Sequence, residues 1–203
     1  MSIKCYDYLA HIGEILEKVK TTQWDSIEKS AKKMAETIAA GHSVYIFGAS
    51  HAGILAQEMF YRTGGLAVVN AILPSEFMLN TRPVTQTSAM ERLEGYPTVI
   101  LNNSDVKKGD MLLLHSVSGR NTAAIEMAIK SSEMGVSTTV ITNMEYSTQV
   151  TSRHSSGKKL YEVCDVVIDN CGDFEDSSML LPGMKQKIAP TSSVVGCAIV
   201  NML

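Results

Sequence analysis

The chain is predicted to fold as a three-layer α/β/α sandwich around a five-stranded parallel sheet, preceded by an N-terminal helical hairpin. Two observations predict it. From residue 43 onward, short apolar runs alternate with stretches of helical periodicity. Runs such as Val44, Tyr45, Ile46, Phe47 and Met111, Leu112, Leu113, Leu114 are apolar at every position, as strands covered on both faces must be. Alternating βα units imply right-handed crossovers, with ligands bound at the carboxyl ends of the strands.

The hairpin comes first. Tyr8, Ile12, Ile15 and Val19 recur at helical spacing, and Ile27, Ala31, Met34 and Ile38 repeat the pattern. Asp25 or Ser26 is the expected N-cap of the second helix, and Gly41 the left-handed residue that ends it. Residues 1–42 are read as a hairpin belonging to the same folding unit as residues 43–203 and serving oligomerisation. The sheet unit then reads as strands at 43–47, 67–72, 111–114, 137–142 and 166–169. Helices are expected at 52–63 and 122–134, with short ones through 74–101. The last stretch, from Thr191 to Leu203, is a helix with Thr191 or Ser192 as N-cap. No Gly, Pro or basic residue closes it, so the sequence leaves a truncated chain and a docked terminal helix as alternatives.

Composition narrows the function. A chain of 203 residues can bury a full core without disulfides or metals. A net charge of −3 with scattered Lys and Arg gives no basic stripe, which argues against nucleic acid as a partner. Cys5, Cys164, Cys171 and Cys197 form no CxxC pair and read as reduced, packed thiols, with no zinc ligand set. Lys4 and Asp7 argue against a signal peptide, and the longest apolar run, 194–203, is too short for a membrane span of about 20 residues. A cytoplasmic protein without membrane contact is expected. The twelve methionines, Met34, Met127 and Met134 among them, read as core filler.

The chemistry is carried by small, hydroxyl-rich turns at strand ends. After the first strand come Gly48, Ala49, Ser50, His51, Ala52 and Gly53; after the third come Ser116, Val117, Ser118, Gly119, Arg120 and Asn121. Serines at a helix start are ordinarily caps, but the same positions expose backbone N–H groups suited to a small anion such as phosphate. Two such turns in one sheet, with a third hydroxyl cluster at Thr191, Ser192 and Ser193, favour a phosphate pocket. The first turn is not a dinucleotide fingerprint, because Ser50 replaces the middle glycine and no acidic residue ends the second strand near Asn70. A Walker A Gly-Lys-Ser/Thr is absent as well.

With those turns, the chain resembles the SIS (sugar isomerase) domain family of phosphosugar-binding proteins. The stretches 58–65, 91–96 and 152–161 are similar to a bacterial branch of that family described as phosphosugar isomerases. The resemblance implies the five-stranded SIS fold, assembly as a homodimer or homotetramer, and a phosphosugar as partner, with no cofactor and no metal. It carries phosphate contacts onto Ser50, Ser116, Ser118, Asn121, Thr191 and Ser192, with Gly48 in the first turn. Ala52 and Val117 depart from the pattern, where close relatives have a serine and a polar side chain, which puts at least one hydrogen bond in doubt.

Four side chains are candidates for moving a proton. His51, beside Ser50, has an imidazole whose ordinary pKa of ~6.5 suits the task, as does His154 if its loop crosses to a neighbouring subunit. Glu58 and Glu76 are the carboxylates expected near the strand ends. Family members like phosphoheptose isomerase place a glutamate further along the first helix, where this chain has Arg62, so that mechanism does not carry over. Glu91 and Glu94 are expected at a solvated helix end or an interface, His115 inside the pocket or core, and His11 and His42 at the surface. Asp173, Glu175 and Asp176 read as a solvated connection. An aldose–ketose or amino-sugar-phosphate isomerase is the leading reading; a non-catalytic phosphosugar sensor and an amino-sugar-phosphate lyase or etherase are the alternatives.

Overall fold

A computed structural model of the chain describes residues 4–203, with side chains from residue 7 onward, so the Cys5 side chain lies outside the described residues. Helices α1 (Lys4–Thr22) and α2 (Trp24–Ala39) precede strand β1 (Val44–Gly48), helix α3 (Ile54–Met59) and strand β2 (Val69–Ile72). Short helices α4 (Gln86–Met90) and α5 (Tyr96–Asn102) lead to β3 (Met111–His115) and α6 (Thr122–Glu133). There follow β4 (Ser137–Thr142), α7 (Met144–Gln149), β5 (Val166–Asp169) and α8 (Ser192–Met202). The five strands are parallel in the order β2-β1-β3-β4-β5.

The two-residue period of the strands divides the core. Val44, Ile46, Met111 and Leu113 face α1, α2, α3 and α8, meeting Ile15, Ile27, Leu55 and Ile199. Tyr45, Phe47, Leu112 and Leu114 face the other way, onto Phe77, Leu101 and the α6 residues Ala123, Ile125 and Met127. All five residues of β1 and of β3 are buried, as expected of strands sandwiched between helix layers. The hairpin is thus one wall of the sheet's own core, and α8 docks beside it.

Three helix ends differ from expectation. Helix α2 begins at Trp24, not at Asp25 or Ser26, because α1 and α2 are separated by the single residue Gln23. The Gln23 side chain does not cap; its Oε1 accepts from the Asp169 N–H at 3.0 Å. Helix α3 ends at Met59, well short of residue 63: from Phe60 to Val68 every residue is exposed, so no packing sustains further turns, and Tyr61 sits at φ +46°. Helix α7, missed in the sequence, starts at Asn143, whose Oδ1 accepts from the Tyr146 N–H at 2.7 Å. Gly41 does take the left-handed conformation, at φ +77°.

Candidate functional site

Strand order reverses between β1, whose chain crosses to β2, and β3, whose chain continues to β4. At such a switch point the two following loops part and leave a crevice at the carboxyl edge. Here the β1 turn and the β3 turn line a pocket of about 300 Å³ that contains Ser50, His51, Ser116, Ser118 and Asn121.

The β1 turn is held tight by Gly48. A Cβ on that residue would lie 2.3 Å from the Ala52 carbonyl oxygen, so no other residue admits this path. The chain then makes one short turn over Ser50–Gly53, with Ser50 at φ +53° and its side chain at the pocket. His115, at the end of β3, braces the turn: its Nδ1 lies 3.0 Å from the Ala52 carbonyl oxygen. Burial pushes the His115 pKa down, outweighing the pull of the Ala52 carbonyl and of Asp176, so the ring is neutral and donates from Nδ1.

The β3 turn is drawn outward by its carbonyl groups. The Ser116 carbonyl accepts from the Thr142 hydroxyl at 2.7 Å, Val117 from the Asn143 N–H at 3.0 Å, and Ser118 from the Ser147 hydroxyl at 2.9 Å. Gly119 accepts from the Leu160 N–H at 2.9 Å and Arg120 from the Arg153 N–H at 2.9 Å. In a trans peptide the N–H points opposite to the C=O, so these five bonds aim the amides of residues 117–121 the other way, as an anion-binding concavity requires. Gly119, at φ +58°, makes the bend, and a Cβ there would come within 2.7 Å of the Ser147 hydroxyl.

Two arginines add charge that the sequence reading did not assign. Arg120 and Arg153 both line the pocket. Arg120 Nε donates to the Thr151 carbonyl at 2.9 Å, and Arg153 Nη1 donates to Asn121 Oδ1 at 2.7 Å, so the 151–159 loop clamps the start of α6. Partial burial, Arg120 and Arg92 all lower the Arg153 pKa, the mark of a crowded positive cluster. Arg120 lies inside the very turn read as a phosphate loop, and that position was the available signal. Arg153 is 33 residues further on and is brought in by tertiary structure.

Carboxylates occupy part of the donor set. Glu91, expected at a solvated helix end or an interface, lines the pocket and accepts from the Ser50 hydroxyl and the Asn121 side-chain amide. Asp176, expected in a solvated connection, accepts from the Thr191 N–H at 3.0 Å, the Ser192 N–H at 2.9 Å and the Ser192 hydroxyl at 2.6 Å. Asp176 is thus the cap of α8, replacing the expected Thr191 or Ser192 side-chain cap. Among the described residues the fully buried Thr191 hydroxyl has no partner, and neither Thr191 nor Ser192 lines the pocket. His11, expected at the surface, pairs with Asp173 of the same acidic loop at 2.7 Å, which raises its pKa. His42 packs under Gly109 beside the buried Asp110.

The remaining candidates do not line the pocket. Glu58 is paired with Arg62 and accepts from the Asn201 side chain at 3.0 Å, on the α3–α8 side. Glu76 accepts from the Tyr96 hydroxyl at 2.7 Å, which lowers its pKa, and Tyr96 is pushed up to about 12 by burial and by that carboxylate. His154 Nδ1 lies 2.8 Å from the Ser156 hydroxyl. Of the four proton-moving candidates, the pocket gathers His51 alone. Cys164, Cys171 and Cys197 are free thiols, each raised in pKa by burial, Cys164 to about 12. No helix among the described residues is long and apolar enough to cross a membrane.

A larger groove of about 620 Å³ runs along Phe60–Val69, away from these turns. Arg62 is the one charged side chain in its lining, and Arg62 is already paired with Glu58. The smaller pocket brings together more groups able to hold an anion, with Arg120, Arg153, Ser50, Ser116 and Ser118 in its lining.

Comparison with known proteins agrees with the fold. Residues 7–143 match the family described as SIS domain. A UPF0309 protein of Oceanobacillus iheyensis is 50% identical over 190 residues, spanning 94% of this chain and 77% of the relative. Among solved structures, a phosphoheptose isomerase from Francisella tularensis superposes with a TM-score of 0.66 at 15% identity, covering 99% of this chain and 95% of the other. The Vibrio vulnificus NanR protein complexed with ManNAc-6P superposes with a TM-score of 0.54 at 14% identity, covering 99% of this chain and 60% of the other. At such identities the two structures share the fold.

Proposed function

We propose, from the premise that this chain belongs to the SIS domain family, that the pocket between the β1 and β3 turns binds a phosphosugar and isomerises it. One observation carries the reading: Ser116, Ser118, the β3 turn whose amides point away from its anchored carbonyl groups, Arg120 and Arg153 line one pocket at the strand-order switch. A phosphate dianion satisfies that set, with hydroxyls and amides as directional donors and arginines as charge. The names of the structural neighbours, a phosphoheptose isomerase and a regulator complexed with a sugar phosphate, are in keeping with such a ligand.

With the phosphate on the β3 turn, the sugar extends toward the β1 turn, where His51 stands exposed at the pocket. His51 is then the group that opens the ring and assists the 1,2-proton transfer through an enediol. An amino-sugar phosphate fits the same geometry, its amine facing Asp176. Because Glu58, Glu76 and His154 are engaged elsewhere, a binding protein without turnover is the second reading.

Incubation with hexose and hexosamine 6-phosphates in D₂O separates the two. The isomerase reading expects deuterium at the carbon next to the carbonyl, and loss of at least ~100-fold of that rate in His51→Ala. Binding with no exchange would leave the sensor; exchange unaffected by His51→Ala would remove His51 from the mechanism.

A further inference from the structure

We propose that Glu91 is the resident anion of the pocket, holding the place of the ligand's phosphate and giving it up when the ligand binds. The proposal rests on the phosphosugar reading of the site and adds the means by which the empty site is kept satisfied.

Glu91 engages the start of α6 twice. Its backbone carbonyl accepts from the Ala123 N–H at 2.9 Å, and its carboxylate accepts from the Asn121 side chain and the Ser50 hydroxyl. Donors from both turns thus converge on a single negative group supplied from 30 residues before Asn121 and 41 after Ser50. The same carboxylate stands amid positive charge: Arg120 and Arg153 line the pocket, and Arg92 is the next residue in the chain. Burial first, and then the charges of Arg120 and Arg92, lowers the Arg153 pKa, an effect that Glu91 partly offsets.

The site is only partly filled by Glu91. Ser116 is 8% exposed, and among the described residues its hydroxyl meets no acceptor or donor, although it lines the pocket. A carboxylate brings one charge and two oxygens; a phosphate brings up to two charges and three free oxygens, and can satisfy Ser50, Ser116, Ser118 and Asn121 together. Phosphate therefore has the greater hold on the donor set, while Glu91 is partly exposed and able to turn into solvent beside Arg92. Asp176 is different in kind. It is fixed by three bonds to Thr191 and Ser192 and stays in place as the α8 cap.

Displacement has a thermodynamic cost, since only molecules with Glu91 withdrawn are ready to bind, and apparent affinity falls by that fraction. Removing the charge must then tighten binding. Calorimetric titration of the full chain with inorganic phosphate, and separately with glucose 6-phosphate, is the test, using Glu91→Gln, Glu91→Ala and the control Glu94→Gln. The expected result is a gain on the order of tenfold in affinity for both ligands in both Glu91 variants, with none in the control. In parallel, the Glu91 variants should melt lower than the parent without phosphate and recover more of that loss when phosphate is added.

If the parent binds and the Glu91 variants bind equally or more weakly, the resident-anion proposal is overturned while the phosphosugar reading stands. If neither parent nor variants bind either ligand, both are overturned. Binding by the Glu91 variants alone supports the proposal in its strongest form.

Discussion

Replacing Ser116 and Ser118 together by alanine is expected to weaken phosphosugar binding by two to four powers of ten while leaving the fold intact. Each hydroxyl donates to a charged oxygen in the proposed complex, and such a bond is worth ~1.5–3 kcal/mol. Two of them amount to ~3–6 kcal/mol, which converts to that range of affinity. Among the described residues neither hydroxyl holds the structure together: the turn is anchored through its carbonyl groups, by Thr142, Asn143, Ser147, Leu160 and Arg153. The variant should therefore melt within about 1 kcal/mol of the parent in the absence of ligand. Calorimetry with the best phosphosugar of a screen, beside a thermal melt, reads both quantities. A loss of binding smaller than tenfold would place the phosphate elsewhere.

Gly48→Ala is the substitution expected to damage the fold most through a single carbon. The added Cβ would sit 2.3 Å from the Ala52 carbonyl oxygen, a backbone atom that cannot turn aside. Ala52 is fixed in turn by the buried His115 ring, and a Cβ on Gly53 would likewise lie 2.8 Å from the Gly48 carbonyl oxygen. Relief requires the Ser50–Gly53 turn to move away from β1, at a cost of about 3 kcal/mol or more. Ser50 and His51 would move with it, so the variant should lose both stability and ligand binding. Gly13→Ala is the control, because nothing lies within 4 Å of a Cβ there. Chemical denaturation that placed Gly48→Ala within 0.5 kcal/mol of the parent, by the measure of an ordinary surface substitution, would contradict this account of the turn.

The fold was legible because its signals are local. The unbroken apolar runs of β1 and β3, the apolar stripe of α1 and α2, and the left-handed Gly41 each need only neighbouring residues to be recognised. The β3 turn was legible for the same reason, since Ser116, Ser118 and Asn121 stand together between a strand and a helix. What could not be read from local sequence is the long-range part. Glu91 reaches Ser50 across 41 residues, Arg153 reaches Asn121 across 32, and Asp176 caps α8 in place of the hydroxyls beside it. Charged residues on short helices and loops look alike in sequence whether they meet solvent or a pocket. Helix α3 shows the converse: good local propensity through Thr63 ends at Met59 because no core surface lies beyond it.

The most direct test of the central claim is the map of backbone amide chemical shifts in ¹H–¹⁵N spectra as a phosphosugar is titrated. The largest changes are expected on residues 117–121, whose amides face the ligand, and on Ser50 and His51 at the pocket, with a smaller response at Glu91 and the start of α8. Changes centred instead on the Phe60–Val69 groove, or no changes at millimolar hexose and hexosamine 6-phosphates, would contradict it.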